Sequence, residues 1–304
     1  MLAEQIAKET GLSVEYVVGL AKSASYRYKT YFIPKRSGEF RQIDHPAREL
    51  KLLQRWLLDR VLSSIGIHRA AYAYRRGASI ALHAAVHAPN NFLLKVDFRN
   101  FFPSIRSDDV ESALQRWKHE VKGFRLSDQD IKFIRQVVCR KGRLTIGAPT
   151  SPAISNIVMR NFDTHWSGLC DQMGIAYSRY ADDICFSCNQ AGVLQGLLTR
   201  LRDELSRAAS PRLGLHDEKT VFTSRKRRRI VTGIVLTSDN KLSLGRPTKR
   251  RIRSLVHLSI HGELGPDKLA YLRGFLAYAR SVEPSFISSL RRKFGDAPLD
   301  ELIG

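Results

Sequence analysis

Three carboxylates are set where chemistry is possible. Asp97 ends the apolar run Phe92-Leu93-Leu94-Lys95-Val96 and is followed by Phe98, Phe101 and Phe102. Asp182 and Asp183 are adjacent, between the β-prone runs Tyr177–Tyr180 and Ile184–Ser187, which reads as a hairpin turn. A charged carboxylate at the end of an apolar strand is costly unless a cation compensates it, and neighbouring carboxylates repel. Three on adjacent strands suit two Mg2+ ions, with water and phosphate oxygens completing the octahedra. Two such ions about 3.5–4 Å apart stabilise both the attacking and the leaving oxygen of an in-line displacement at phosphorus. An Asp-Asp pair alone is ordinary turn chemistry. Its combination with Asp97 is what points to phosphoryl transfer.

Other side chains with ligand chemistry are less well arranged. The four cysteines, at 139, 170, 185 and 188, form no disulfide framework. Cys185-x-x-Cys188 has the spacing of half a zinc or redox site. It lies in an alternating strand, however, where positions i and i+3 face opposite sides, so a structural role is expected. His83 and His87, four residues apart, would share a helix face. With no carboxylate or cysteine near them in sequence, nucleic-acid contact or helix packing is the expectation.

The elements that must carry these residues read as follows. Helices are expected over Leu2–Thr10, Ser13–Lys22 and Ala47–Ile65, around a strand pair, Tyr28–Pro34 and Gly38–Asp44. A Lys35-Arg36-Ser37-Gly38 turn would join that pair. From Phe92 to Leu236 short apolar strands alternate with longer helical stretches. The remainder is helical, with apolar stripes at Ile252, Leu255, Val256 and Ile260, then Leu269, Leu272, Phe275, Leu276 and Ala279. The pattern is mixed α/β with an α tail.

Charge names the kind of partner. The 304 residues hold 50 Lys+Arg against 29 Asp+Glu, a net charge of +21 on an otherwise ordinary globular composition. That surplus calls for a polyanion, nucleic acid or an anionic membrane surface. The longest stretch without a charged residue, Gly77–Leu94, carries His83, His87, Pro89, Asn90 and Asn91, so no membrane span is expected. The N-terminus has Glu4 and Glu9 and no apolar signal core, and a cytoplasmic location is expected. Residues 225–304 contain 17 Lys+Arg and 7 Asp+Glu, about half of the surplus. The run Arg225-Lys226-Arg227-Arg228-Arg229, then Lys249-Arg250-Arg251 with Arg253, and Arg291-Arg292-Lys293 would give helices able to follow a phosphate backbone.

Tyr180-Ala181-Asp182-Asp183 resembles the YxDD box of reverse transcriptases, and Asp97 with Phe101-Phe102-Pro103-Ser104 resembles their first catalytic motif. Between them, Gly147-Ala148-Pro149-Thr150-Ser151-Pro152 is similar to the G-x-P-x-S-P motif that contacts template and incoming nucleotide. The order and spacing agree as well. Within that superfamily the chain resembles the bacterial retron reverse transcriptases. The likeness rests on Ser25–Tyr31, on Arg41-Gln42-Ile43-Asp44-His45-Pro46 leading to Glu49-Leu50-Lys51 and Gln54, on Val231-Thr232-Gly233, and on Leu244-Gly245-Arg246. It covers about residues 10 to 295. Two positions depart from the pattern: Ile146 stands where the family usually has Gln, and His83 where the retron N-A-x-x-H motif has Asn.

The resemblance implies an α+β right-hand polymerase fold with an antiparallel palm sheet and a helical thumb. Residues 1–27 would be an N-terminal helical segment, 28–90 and 106–143 fingers, 91–105 and 144–235 palm, and 236–304 thumb. It implies Asp97, Asp182 and Asp183, with the Phe98 carbonyl, as ligands of two Mg2+ ions. Lys219 would serve the leaving pyrophosphate, and Arg41 and Arg75 the triphosphate. Phe102 would exclude a ribose 2′-hydroxyl, and Gly147, Pro149 and Ser151 would line the nucleotide and template pocket. The implied partners are deoxynucleoside triphosphates, a structured non-coding RNA serving as template and primer, and the RNA–DNA hybrid. A branched multicopy single-stranded DNA (msDNA) would be the product. An accessory effector protein in antiphage defence and an external RNase H are implied too, since about 70 residues after the palm leave no room for that domain beside a thumb. Alternatives are a reverse transcriptase of a group II intron, a diversity-generating element or a CRISPR-linked system, which usually bring longer chains. A non-catalytic RNA-binding protein is the alternative from another class, and the intact aspartates stand against it.

Overall fold

Local chemistry sets the first elements of the structure, a computed structural model that describes residues 1–35, 38–123 and 125–303. Helix α1 (Leu2–Thr10) stops at Gly11, whose φ of 73° is the left-handed turn that glycine takes without strain. Ser13 caps α2 (Val14–Lys22) by accepting from the Tyr16 N–H. The chain continues through β1 (Tyr28–Pro34), β2 (Phe40–Pro46), α3 (Arg48–Arg60), α4 (Ile80–His87), β3 (Phe92–Arg99) and α5 (Phe101–Ser104). Next come α6 (Ser107–Trp117), α7 (Asp128–Val138), α8 (Ser151–Val158), α9 (Arg160–Gln172), β4 (Ala176–Tyr180), β5 (Asp183–Cys188) and α10 (Val193–Arg207). Short strands β6 (Gly214–Leu215), β7 (Val221–Ser224), β8 (Arg229–Val231), β9 (Ile234–Leu236) and β10 (Leu242–Ser243) lead to four helices. These are α11 (Arg246–Ile260), α12 (Pro266–Val282), α13 (Pro284–Phe294) and α14 (Asp296–Ile303).

Two expectations shift. The second strand runs from Phe40 to Pro46 rather than Gly38 to Asp44, because antiparallel pairing extends to Tyr28↔Pro46. The helix expected to reach Ile65 ends at Arg60, and a 3-10 turn, Leu62–Ser64, follows it. Arg36 and Ser37 of the expected turn lie outside the described residues.

The chain divides into two compact units. The first comprises Met1–Gly77, Lys95–Ile184 and Gln195–Thr220. In it α1, α2, α3 and α7 pack on one another around Ile6, Leu20, Leu50, Leu53, Ile131 and Ile134, each at most 1% exposed. Asp130 closes the Ser127 capping box of α7 and accepts the Leu2 N–H at 2.7 Å, tying the N-terminus down. The second unit comprises Ala78–Leu94, Cys185–Leu194 and Val221–Gly304. Its core joins Leu93, Val231, Ile234, Ile252, Val256, Leu272, Leu276, Phe286 and Leu290. Glu283 collects the Leu244 N–H at 2.9 Å, the Ser243 hydroxyl at 3.0 Å and the Lys249 ammonium, fixing the start of α11.

The sheet that carries the aspartates has the order β4-β5-β3-β6, with β7 also on β3. Among the described residues no helix is long and apolar enough to cross a membrane.

Candidate active site

Backbone pairing brings the three aspartates to one place in the first unit. The Phe98 N–H donates to the Asp182 carbonyl at 3.0 Å, and the His216 N–H donates to the Asp97 carbonyl at 2.8 Å. Asp97 is 7% exposed and accepts the Lys219 ammonium on Oδ1 at 2.7 Å. Burial, followed by the charge of Asp97, raises the Asp182 carboxyl above its ordinary range. Asp183 is raised further, to about 6, because burial and the charges of Asp182 and Asp97 outweigh the relief from Lys95. Burial works against the Lys219 ammonium, yet its hydrogen bond to Asp97 and the three carboxylates together hold its pKa up. These are half-desolvated oxygen donors with an excess of negative charge, a set that suits a hard divalent cation.

A buried network behind the hairpin fixes its tip. Arg179 on β4 is 0% exposed and pairs with Asp163 of α9 through Nε at 2.8 Å and Nη2 at 2.6 Å. Nη2 also donates to the Asn156 side-chain oxygen at 3.0 Å, and Nη1 donates to the Ala181 carbonyl at 3.1 Å. Tyr177 donates to Asp163 at 2.7 Å, and Asn156 donates to the Ala73 carbonyl at 2.8 Å. Ala181 has a φ of 56°, the left-handed region that costs a non-glycine residue about 1 kcal/mol or more, so the tip persists only because its surroundings hold it. None of Arg179, Asp163, Asn156 or Tyr177 was singled out from the sequence. A charged pair 16 residues apart has no local pattern to reveal it.

The remaining candidates fall into three groups. Phe102 on α5 is half-buried, with its ring tilted against Phe101 and against Tyr74 at centroid separations of 5.4 and 6.5 Å. Phe98 is buried, stacked on Phe101. Arg41 on β2 is exposed, and its charge reaches Asp182. Arg75, by contrast, is bound within its own loop: Nε donates to the Ala71 carbonyl at 2.8 Å and the guanidinium lies over Tyr72.

Gly147 has a φ of 117°, and a Cβ there would meet the Asp44 carbonyl oxygen at 2.7 Å, so glycine is required by both conformation and space. The reason for that close approach is the Asp44 N–H, which donates to the Ile146 carbonyl at 2.8 Å. Whatever side chain stands at 146, its backbone ties this segment to β2. Asp44 also takes Arg140, Thr30 and Gln42, and Arg140 lies over Tyr28. Pro149 is half-buried. Ser151 begins α8 with a buried hydroxyl that has no hydrogen-bond partner among the described residues.

The basic run at 225–229 is not all surface. Arg229 is 1% exposed and donates to the carbonyls of Asn90 and, at 2.8 Å, Thr237. Arg225 donates to the Pro89 carbonyl at 2.9 Å and to Asn240 at 2.6 Å. Lys226, Arg227 and Arg228 are exposed. The expectation of nucleic-acid contact for His83 and His87 gives way to packing, because both are 0% exposed. Burial holds the His87 imidazole well below its ordinary pKa, with the His83 ring adding to the effect. The two cysteines of the C-x-x-C pair are both buried, and Cys188 donates to the Gln190 carbonyl.

A sheet that brings a two-aspartate turn beside a third aspartate, with Lys219 bound to it, is an arrangement suited to phosphoryl transfer. The chain belongs to the reverse transcriptase (RNA-dependent DNA polymerase) family, whose model matches residues 33–255, and it is an RNA-directed DNA polymerase of the retron group. It is 37% identical over 297 residues to the retron Ec83 reverse transcriptase of Escherichia coli, covering 95% of this chain and 93% of that one. The retron Ec86 reverse transcriptase of Escherichia coli is 30% identical over 306 residues, covering 97% and 91%. Among solved structures, telomerase from Candida albicans in complex with a TWJ fragment of telomeric RNA matches with a TM-score of 0.53 at 13% identity. That match spans 90% of this chain and 60% of the telomerase, and it shows the fold: an α+β right-hand polymerase.

Proposed function

We propose that this chain copies its own structured non-coding RNA into a branched, RNA-linked msDNA, starting from a 2′-hydroxyl of a guanosine in that RNA. The observation that carries the reading is the convergence of Asp97 and the Asp182–Asp183 hairpin, desolvated and short of positive charge, with Lys219 on Asp97. Asp97, Asp182, Asp183 and the Phe98 carbonyl would hold two divalent ions, taken to be Mg2+ because every donor is a hard oxygen. When bound, such ions supply charge stabilisation at the attacking and leaving oxygens.

The chain's own residues do the rest. The primer hydroxyl oxygen gives up its proton to solvent and bonds to the α-phosphorus of a deoxynucleoside triphosphate, the bond from that phosphorus to the bridging oxygen breaks, and pyrophosphate leaves. Lys219 offsets the aspartate charge through its bond to Asp97 and would offset that of the leaving group once substrate is bound. Arg41 on β2, whose charge acts on Asp182, would serve the triphosphate. Phe102, braced by Tyr74 and Phe101, would exclude a ribose 2′-hydroxyl. Gly147 allows its loop to lie against β2, which sets the start of α8 and with it Pro149 and Ser151. Residues 28–90 and 106–143 would act as fingers, 91–105 and 144–235 as palm and 236–304 as thumb. Arg75 is assigned a loop-bracing part. The setting would be the bacterial cytoplasm, in antiphage defence beside an accessory effector, with RNase H supplied in trans.

The nucleic acid that co-purifies from a host carrying the chain with its flanking DNA tests the proposal. The expected product is a short DNA joined to RNA through a branch resistant to RNase, absent from Asp182→Asn, which should still retain RNA. Ordinary cellular RNA alone, with no branched DNA from the unaltered chain, would overturn it.

A further inference from the structure

The core of the second unit contains a polar cluster unconnected with nucleotide chemistry. His83 and His87 lie one turn apart on α4, and Cys185 lies on β5. A ring nitrogen of each histidine and the Cys185 sulfur are all within 4.8 Å of one another, and all three side chains are buried. Among the described residues this is the one such group. The two rings meet edge to face at 5.9 Å. A hydroxyl stands at Nδ1 of each ring, Thr232 Oγ1 at 3.4 Å from His83 and Ser187 Oγ at 2.7 Å from His87. The Asn90 amide donates to that Ser187 hydroxyl at 2.8 Å, which holds it in place.

We propose that His83, His87 and Cys185 form a structural zinc site inside the second unit, with Nε2 of each imidazole and the cysteine Sγ as ligands. Four features point the same way. Two imidazoles and a thiolate are the borderline-soft donor set that zinc takes and that Mg2+ does not. Spacing of i and i+4 puts both imidazoles on one helix face, the arrangement of helical zinc motifs. With the Thr232 and Ser187 hydroxyls accepting the Nδ1 hydrogens, both rings would present Nε2 with its lone pair, as the outer partners of zinc-bound histidines arrange. The fourth feature concerns distance. Zinc bonds of about 2.0 Å to nitrogen and 2.3 Å to sulfur set the ligand atoms some 3.3–3.5 Å apart in a tetrahedron, a closing movement on the order of 1 Å at most from the 4.8 Å within which they lie.

With three protein ligands the fourth position would fall to a water enclosed with the metal, and the thiolate would cancel one of the two metal charges. The site would pin α4 to β5 and contribute to stability without taking part in DNA synthesis.

The test uses the full chain, stripped with a chelator and titrated with Co2+ in saturating Mg2+, which fills carboxylate sites. One equivalent should bind, giving thiolate-to-cobalt absorption in the near ultraviolet and the visible bands of four-coordinate cobalt. One equivalent of Zn2+ should abolish both. Cys185→Ser should lose the near-ultraviolet band, and His83→Asn should weaken binding by at least about tenfold. Zn2+ should also raise the thermal midpoint of the unaltered chain and leave that of Cys185→Ser where it was. A titration of the unaltered chain without a stoichiometric endpoint and without these bands would show a hydrogen-bonded cluster and overturn the site, whatever the variants do. Bands that survive in Cys185→Ser would overturn it as well.

Discussion

Asp183 illustrates how one carboxyl reports the condition of the whole centre. Its folded pKa, about 6, lies above the ordinary 3.8, so the folded chain binds more protons than the unfolded chain between those values. The stability that Asp183 contributes is therefore fully present below about pH 3.8 and is lost as the pH rises through about 6. Metal-free protein should show a thermal midpoint that falls between about pH 5 and pH 7, and Asp183→Asn should flatten much of that slope. Mg2+ should raise the midpoint more at the upper pH, where the carboxyls it binds are ionised. A midpoint independent of both pH and Mg2+ would contradict the assignment. Phe102 gives the second residue-level prediction. Phe102→Ala should let ribonucleotides into the product by opening the space beside Tyr74, and primer extension with each nucleotide class measures it. Unchanged discrimination would remove that role.

At the scale of elements, the β4–β5 hairpin depends on a charge pair that its own sequence does not display. Arg179→Met leaves Asp163 buried with its ionic partner gone, which should cost about 3–5 kcal/mol in denaturant unfolding. Replacing Asp163 by Leu in the same chain should recover most of that stability, since a buried pair and a well-packed apolar pair are often equivalent. Activity should not recover with it, because the tie from Arg179 to the Ala181 carbonyl is still missing. Recovery of both would make the network a matter of stability alone. The elements themselves were largely legible. Ser13 and Gly11 mark helix ends by chemistry acting over three or four residues, and the alternating run before Cys188 marks a strand. The ends of β2 and α3 were not, because the Tyr28↔Pro46 pairing and the 3-10 turn after Arg60 answer to partners elsewhere.

Across the whole molecule, the +21 charge is divided between surface and interior. Arg225 and Arg229 hold the loops around Pro89, Asn90 and Thr237, so only part of the basic run is available to phosphates. RNA affinity should fall steeply with salt. Replacing Lys226, Arg227 and Arg228 by Ala should reduce the log–log slope by about 2, at roughly 0.7–0.9 per phosphate contact. Filter binding across a salt series measures the slope, and an unchanged slope would place the phosphate contacts elsewhere. Arg229→Ala should instead lower stability, visible in unfolding, since it frees buried carbonyls.

The sequence by itself determined the three aspartates, the order of the motifs and the family, because ligand chemistry and nucleotide contact demand particular residue types at short spacings. It also determined most helices and strands, whose periodicity and caps are local. Only the tertiary structure decided which charges are buried, that Lys219 rests on Asp97, that Arg179 and Asp163 support the hairpin, and that Cys185 joins His83 and His87. Each of those joins residues 16 to 122 positions apart. What fixes such pairs is the cost of leaving a buried polar group without a partner, a cost that does not exist until the chain has folded.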